Sequence, residues 1–195
     1  KPGITRSDQW FGDRMVNGMY ASTLDKDPEN PNLYWLYYHW SSYDHNPGYG
    51  FNDISMKFSI NDQGYFIPES ITLKGPISPN SDPNSKITLT PKDEQKWESA
   101  KRVARVSGGI LTEIDKHFTE THLNTEQYAI AAYRNIRRNP VGSILFPHLR
   151  NVVLINHTAD QILIKKDGYI NRSTALTQSG IKKRVTDVLG TLDWK

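Results

Sequence analysis

Residues 1–90 and 91–195 differ so sharply in composition that one type of regular structure cannot account for both. The first ninety residues hold fourteen of the twenty-one aromatics and a net charge of −3, from 7 basic and 10 acidic side chains. The remaining residues carry most of the aliphatics and a net charge of +6, from 17 basic and 11 acidic side chains. Turn dipeptides punctuate the first half: Asp27-Pro28, Asn30-Pro31, Asn46-Pro47 and Asp82-Pro83. Ile54 to Ile60 alternates apolar and polar residues as a half-buried strand does. After Asn61-Asp-Gln-Gly64 the segment Tyr65–Leu73 reads as its hairpin partner, with Pro68 demoting it to an edge. Gly75 to Ser85 reads as a loop.

Thr90 opens the helical half. It is a capping residue, Pro91 suits the first helical position, and Asp93 stands where a capping-box acid belongs. Trp97, Ala100 and Val103/Ala104 follow helical spacing, and Ser107-Gly108-Gly109 is expected to end that helix. A second helix is predicted from about Ile110 to Arg138, stopping before Asn139-Pro140 because the residue before proline avoids helical geometry. A third is expected from about His148 to Lys165 and a fourth from about Thr174 to Leu189. The predicted fold class is mainly α, with a loop-rich N-terminal half (1–89) containing a short β-hairpin and a helical part over 90–195.

Zero cysteine excludes a disulfide scaffold, a Cys-ligated zinc or iron–sulfur site and a thiol nucleophile. A transition metal must therefore be held by histidine nitrogen and carboxylate or amide oxygen. Two of the six histidines, His117 and His122, fall on one predicted helix. On a regular α-helix, positions five apart diverge by about 140°. A π-type turn between them would bring both onto one face, and such turns recur at functional sites. A shared metal thus requires a helix defect between His117 and His122. The alternative is a pair of ordinary helix histidines, matched at i,i+4 spacing with Glu113 and Glu126.

The surrounding residues resemble the lipoxygenase signature. They run His117-Phe-Thr-Glu-Thr-His122, then Glu126, Ile130-Ala131 and Arg134, then Asn139-Pro140, Phe146-Pro147-His148-Leu-Arg150 and Ile155-Asn156. Ser7-Asp-Gln-Trp-Phe-Gly12 through Gly18, and Thr90-Pro91 through Trp97, Ala100 and Lys101, are similar to two further blocks of that family in family order.

This resemblance implies a helical fold around non-haem iron, less often manganese, and dioxygenation of a polyunsaturated fatty acid. Hydrogen leaves a bis-allylic carbon, O2 adds, and a hydroperoxide results. By position His117 and His122 match the first two metal ligands, while His148 matches a histidine that is not a ligand. Ala159 matches the position that influences product stereochemistry, where alanine favours an S product. Leu163, Ile144 and Leu145 match apolar positions near the oxygen and fatty-acid channel, although core packing accounts equally for any single aliphatic.

Departures from the pattern are informative. Asn139 replaces the histidine of the His-Pro motif, and Asp160 stands where arginine is usual. The family's third histidine, the asparagine four residues after it, and its terminal isoleucine carboxylate have no counterpart: four residues after His148 and His157 come Val152 and Gln161. The chain is therefore expected to be the central part of a lipoxygenase catalytic domain that needs a second chain or a C-terminal segment for those ligands. The alternative is an inactive lipoxygenase-like fragment that binds lipid or pairs with another chain. The low apolar share of 36% and mean hydropathy of −0.64 point the same way, to a core thin for a self-sufficient enzyme.

A pI near 9.0, Arg137-Arg138 and Lys182-Lys183-Arg184 raise nucleic acid as a partner. No nucleic-acid motif accompanies them, so none is expected; the basic balance leaves room for peripheral membrane contact. The sequons Asn156-His-Thr158 and Asn171-Arg-Ser173 are read as chance triplets, the first lying in an apolar helix.

Overall fold

A computed structural model describes residues 7–18, 23–46, 52–75 and 82–192. Part of the expected loop at Gly75–Ser85 (residues 76–81) and the proline of Asn46-Pro47 lie outside them. The chain divides into two compact units, one of residues 1–42 and 47–112, the other of 43–46 and 113–195.

The first unit is built on an antiparallel sheet in simple sequential order: β1 (Leu24–Lys26), β2 (Leu33–Tyr38), β3 (Asp53–Ile60), β4 (Phe66–Lys74) and β5 (Lys86–Leu89). The fold is thus mixed, with five strands where a single hairpin was expected. The expected hairpin is its centre, β3 paired with β4. Asn61 shapes its turn, Oδ1 accepting from the backbone N–H groups of Gln63 at 3.1 Å and Tyr65 at 2.9 Å, with Gly64 at φ +80°. Leu33–Tyr38 adds one side of the sheet and Lys86–Leu89 the other. The aromatic, β-forming residues of β2 find their partner more than fifteen residues away, a pairing that no local pattern specifies.

Pro68 stands in a stretch of β4 that pairs with β3 alone, because the β5 ladder covers only Ile71–Lys74; β4 is central over those four residues and one-sided at the proline, as the edge reading expects. The register shifts between Lys57, opposite Ser70, and Phe58, opposite Pro68, so Glu69 is an extra residue. A bulge tolerates the missing proline N–H inside a sheet.

Alternation holds along β3: Ile54, Met56 and Phe58 are buried. They form a core with Leu36, Ile71 and the residues Phe11 and Met15 of α1 (Asp8–Val16). Gly12 lets α1 approach β4 closely, since a Cβ there would lie 1.9 Å from the Phe66 carbonyl oxygen.

The Thr90 cap forms as expected. The Asp93 carboxylate accepts the Thr90 N–H at 2.8 Å and its hydroxyl at 3.0 Å, ahead of a single 3-10 turn at Pro91–Asp93. The helix that follows, α2 (Glu94–Leu111), does not end at Ser107-Gly108-Gly109. Burial of Trp97, Ala100, Ala104, Ile110 and Leu111 outweighs the glycine penalty of about 1 kcal/mol per residue.

Asp8 joins the two sequence blocks around Ser7–Gly18 and Thr90–Lys101. Its Oδ1 accepts from Trp97 Nε1 at 2.8 Å and from the buried Lys101 Nζ at 2.6 Å.

The second unit contains a π-helix (Thr112–Leu123, its first residue belonging to the first unit), α3 (Asn124–Asn135), α4 (Pro140–Leu149), α5 (Val152–Ala159), a second π stretch (Asp160–Ile164), α6 (Tyr169–Ser173) and α7 (Gln178–Thr191). The single helix expected from His148 is divided. Asn151 at φ +67° breaks the chain between α4 and α5, so His148 closes one helix and Val152 opens the next. Asn139, which departs from the His-Pro motif, caps α4 through a 2.9 Å bond from Val141 N–H to its Oδ1.

Residues 43–46 belong here because His45 bridges Leu176, Asp44 O receives the Thr177 N–H at 3.0 Å, and Gly180 leaves room for Asp44. Ala129, Ala132 and Leu149 form a packed cluster with Ile136, Phe146 and Val152. Other aliphatics of this unit face outward: Val141, Ile144, Val153, Leu154, Ile155 and Ile162 are all exposed. Among the described residues no helix is long and apolar enough to cross a membrane.

Candidate metal centre

The π-helix carries both histidines. Its i→i+5 hydrogen-bond pattern widens the turn, so the positions that an α-helix would spread apart are stacked on one face. Two threonines support that geometry with side-chain bonds of the same span: Thr119 Oγ1 donates to Ile114 O at 2.6 Å and Thr121 Oγ1 to Lys116 O at 2.8 Å. Thr119 is completely buried.

His117 Nε2 and His122 Nε2 lie 3.1 Å apart, with ring centroids 4.8 Å apart and planes at 73°. The other ring nitrogens face oxygens. Glu113 Oε2 is 3.1 Å from His117 Nδ1, and Asn156 Oδ1 is 3.1 Å from His122 Nδ1. Oxygen acceptors at both Nδ1 positions place the protons there and leave each Nε2 with a free lone pair. Two lone pairs that close require a cation, a proton or a metal ion, to hold them together. With metal–nitrogen bonds of about 2.1 Å, two ligands at a right angle stand about 3.0 Å apart. The donor set, borderline nitrogen with no thiolate, suits iron among the other divalent ions that imidazole binds.

Glu113 bonds His117 at the helical spacing read from the sequence, whereas Glu126 reaches His122 only through Asn156. Among the described residues no group of three or more His, Cys, Asp or Glu side chains is placed to hold a metal ion. His148 and His157 are exposed and take no part.

The four channel candidates are not gathered around the pair in one cavity. Ile144 and Leu145 are exposed on α4; Ala159 ends α5 and Leu163 lies in the second π stretch, both half-buried. A cavity of about 590 Å³ does adjoin the second unit's helices, lined by Phe118, Leu123, Val153, Asn156, Ile164 and Lys182 among others.

A buried ion pair stands on the same π-helix. Arg184 grips Asp115 with two bonds, Nε to Oδ1 at 2.9 Å and one terminal nitrogen to Oδ2 at 2.5 Å, and its other terminal nitrogen donates to Tyr43 Oη at 2.9 Å. Burial pushes the Asp115 carboxyl up, against the pull of Arg184; the Arg184 guanidinium is held charged by Asp115 in spite of burial. The sequence reading missed this pair, because Arg184 reads there only as one of the basic run at 182–184.

Residues 52–183 match the lipoxygenase family. The chain belongs to the lipoxygenase family. It is 26% identical over 190 residues to the linolenate 9R-lipoxygenase of Nostoc sp., covering 96% of this chain and 23% of that protein. It is 32% identical over 123 residues to a hydroperoxide isomerase of Mus musculus, covering 63% of this chain and 17% of that protein. The crystal structure of a 9R-lipoxygenase from Cyanothece superposes with a TM-score of 0.88 at 33% identity, covering 100% of this chain and 30% of that one. The lipoxygenase chain described here thus spans less than a third of the length of each of these relatives. Family members use non-haem iron or manganese.

Proposed function

We propose that this chain forms part of a lipoxygenase catalytic domain and supplies two protein ligands, His117 and His122, to a non-haem iron, with manganese the less fitting metal. The convergence of the two Nε2 atoms at 3.1 Å on a π-helix is the observation that carries this reading. When bound, iron supplies the one-electron chemistry by which hydrogen is removed from a bis-allylic carbon of a polyunsaturated fatty acid and O2 is added to give a hydroperoxide. The chain's own residues hold the imidazoles: Glu113 and Asn156 keep the protons on Nδ1, and the threonine bonds maintain the turn. Ile144, Leu145, Ala159 and Leu163 are proposed to border the oxygen and fatty-acid channel once the remaining wall is present.

Two imidazoles do not complete a redox-cycling iron site. A third histidine, an asparagine and a terminal carboxylate are proposed to come from a further segment or a second chain. The exposed aliphatics of α4 and α5 suit coverage by such a segment.

Metal analysis of the natively purified complex tests the reading. One iron per complex, lost in His117→Ala and His122→Ala, is expected, together with oxygenation of linoleate. Absence of iron from the native complex, or its retention in both variants, overturns it. The small donor set among the described residues favours a second reading, a lipoxygenase-like fragment that binds lipid or pairs with another chain without catalysis. That reading predicts fatty-acid binding or chain pairing with no stoichiometric iron.

A further inference from the structure

We infer that Asn156 is a positioning residue for His122, fixing its tautomer and ring orientation from a different helix; its consequence for metal binding rests on the reading of His122 as a ligand. Asn156 lies in α5 directly after the apolar run Val152–Ile155 and is only 3% exposed. An amide buried among aliphatics is costly unless its bonds are made. Here all of them are. Nδ2 donates to His122 O at 2.9 Å and to Glu126 Oε2 at 2.9 Å, while Oδ1 faces His122 Nδ1 at 3.1 Å.

These contacts fix which way the amide points. A carbonyl oxygen and a carboxylate oxygen can only accept, so the nitrogen must face them, and a flipped amide would set oxygen against oxygen twice. The amide oxygen is then the atom left for the imidazole. It too can only accept, so His122 Nδ1 must donate and Nε2 is left bare on the side of His117. Glu126 therefore acts on His122 indirectly, by orienting Asn156.

The two imidazoles are controlled differently. His117 is held by Glu113, four residues away on its own helix and half-exposed, as is the ring itself. His122 is held by a buried side chain thirty-four residues away. The packing of α5, which runs on through Ala159 into the second π stretch, is thereby tied to one ring and not to the other.

The test uses the 195-residue chain labelled with 15N-histidine. Long-range 1H–15N correlations in the wild type are expected to show His122 protonated on Nδ1. Asn156→Leu, which keeps the volume and removes the acceptor, is expected to give mixed tautomers at His122 and leave His117 unchanged. Binding of Co2+, followed by its visible absorption, is expected to weaken roughly tenfold or more. The pair Asn156→Asp with Glu126→Gln returns an acceptor to Nδ1 and a donor to that acceptor, and is expected to restore the His122 pattern and most of the affinity.

A His122 that lacks the proton on Nδ1 in the wild type overturns the inference whatever the variants do. So does an Asn156→Leu chain that keeps the wild-type tautomer and affinity, or equal impairment of the Leu variant and the double variant. A wild-type chain that takes up no Co2+, while Asn156→Leu still alters the His122 tautomer, counts against the metal reading and supports the positioning role.

Discussion

His117 Nε2 and His122 Nε2 meet at 3.1 Å because the helix that carries them is wound five residues per hydrogen bond instead of four. Thr119 and Thr121 repeat that span with their hydroxyls. Thr119→Val removes a buried donor from a carbonyl while nearly preserving volume, and is expected to cost about 1–2 kcal/mol in urea unfolding. Thr121→Val, at an exposed position, is expected to cost less than about 0.5 kcal/mol. Equal midpoints for Thr119→Val and the wild type would show that the hydroxyl does not support the turn.

Gly12 and Gly109 should respond oppositely to alanine. A Cβ at Gly12 would fall 1.9 Å from Phe66 O and 2.8 Å from its carbon, atoms of a sheet backbone that cannot swing aside. Loss of about 3 kcal/mol or failure to fold is expected from Gly12→Ala. A Cβ at Gly109 would meet nothing within 4 Å in the interior of α2, so Gly109→Ala is expected to stabilise by about 0.5–1 kcal/mol. Thermal unfolding of the two variants checks both signs.

Arg184→Met leaves the buried Asp115 carboxylate without its guanidinium, and a loss of about 3–5 kcal/mol is expected. Replacing both partners, Asp115→Leu with Arg184→Met, removes the stranded charge and should recover much of that loss. Denaturant midpoints of the single and double variants decide the matter: a double variant less stable than the single one would refute it.

Asp53 predicts an acid limb of stability. Burial raises its carboxyl, but the Trp40 N–H at 2.6 Å, the Ser41 N–H at 2.8 Å and the Ser41 hydroxyl at 2.8 Å more than offset this, and the folded pKa lies below the ordinary 3.8. A depressed carboxylate contributes stability above its unfolded pKa and loses that contribution as pH falls through the folded one. Asp53→Asn is therefore expected to lower the melting temperature at pH 7, with the gap to wild type closing below about pH 4. A gap that stays constant from pH 7 to pH 2.5 would assign the effect to shape and not to charge.

Much of the local structure was legible in the chain. The alternation over Ile54–Ile60, the turn at Asn61–Gly64 and the Thr90–Asp93 cap are settled by neighbours in sequence, and each forms as its residues prescribe. The His-x4-His spacing went further, because it allowed convergence only through a π turn. What failed was longer in range. The first half reads as a single hairpin until β2 pairs on the far side of β3 and β5 on the far side of β4. Gly108-Gly109 reads as a helix end until apolar burial on either side carries α2 through.

By itself the sequence determined the family, through motifs that resemble it in order, and, since periodicity and spacing act over a few residues, the alternation of the central strands and the condition on the two histidines. Only the tertiary structure decided which side chains stand behind them. Asn156 is brought to His122 across thirty-four residues, Arg184 to Asp115 across sixty-nine, and Lys101 to Asp8 across ninety-three. A polar group in an apolar run signals that a partner exists, because burial without one is costly. It does not say which residue the partner is, since that is fixed by how helices and strands pack once the intervening chain has closed.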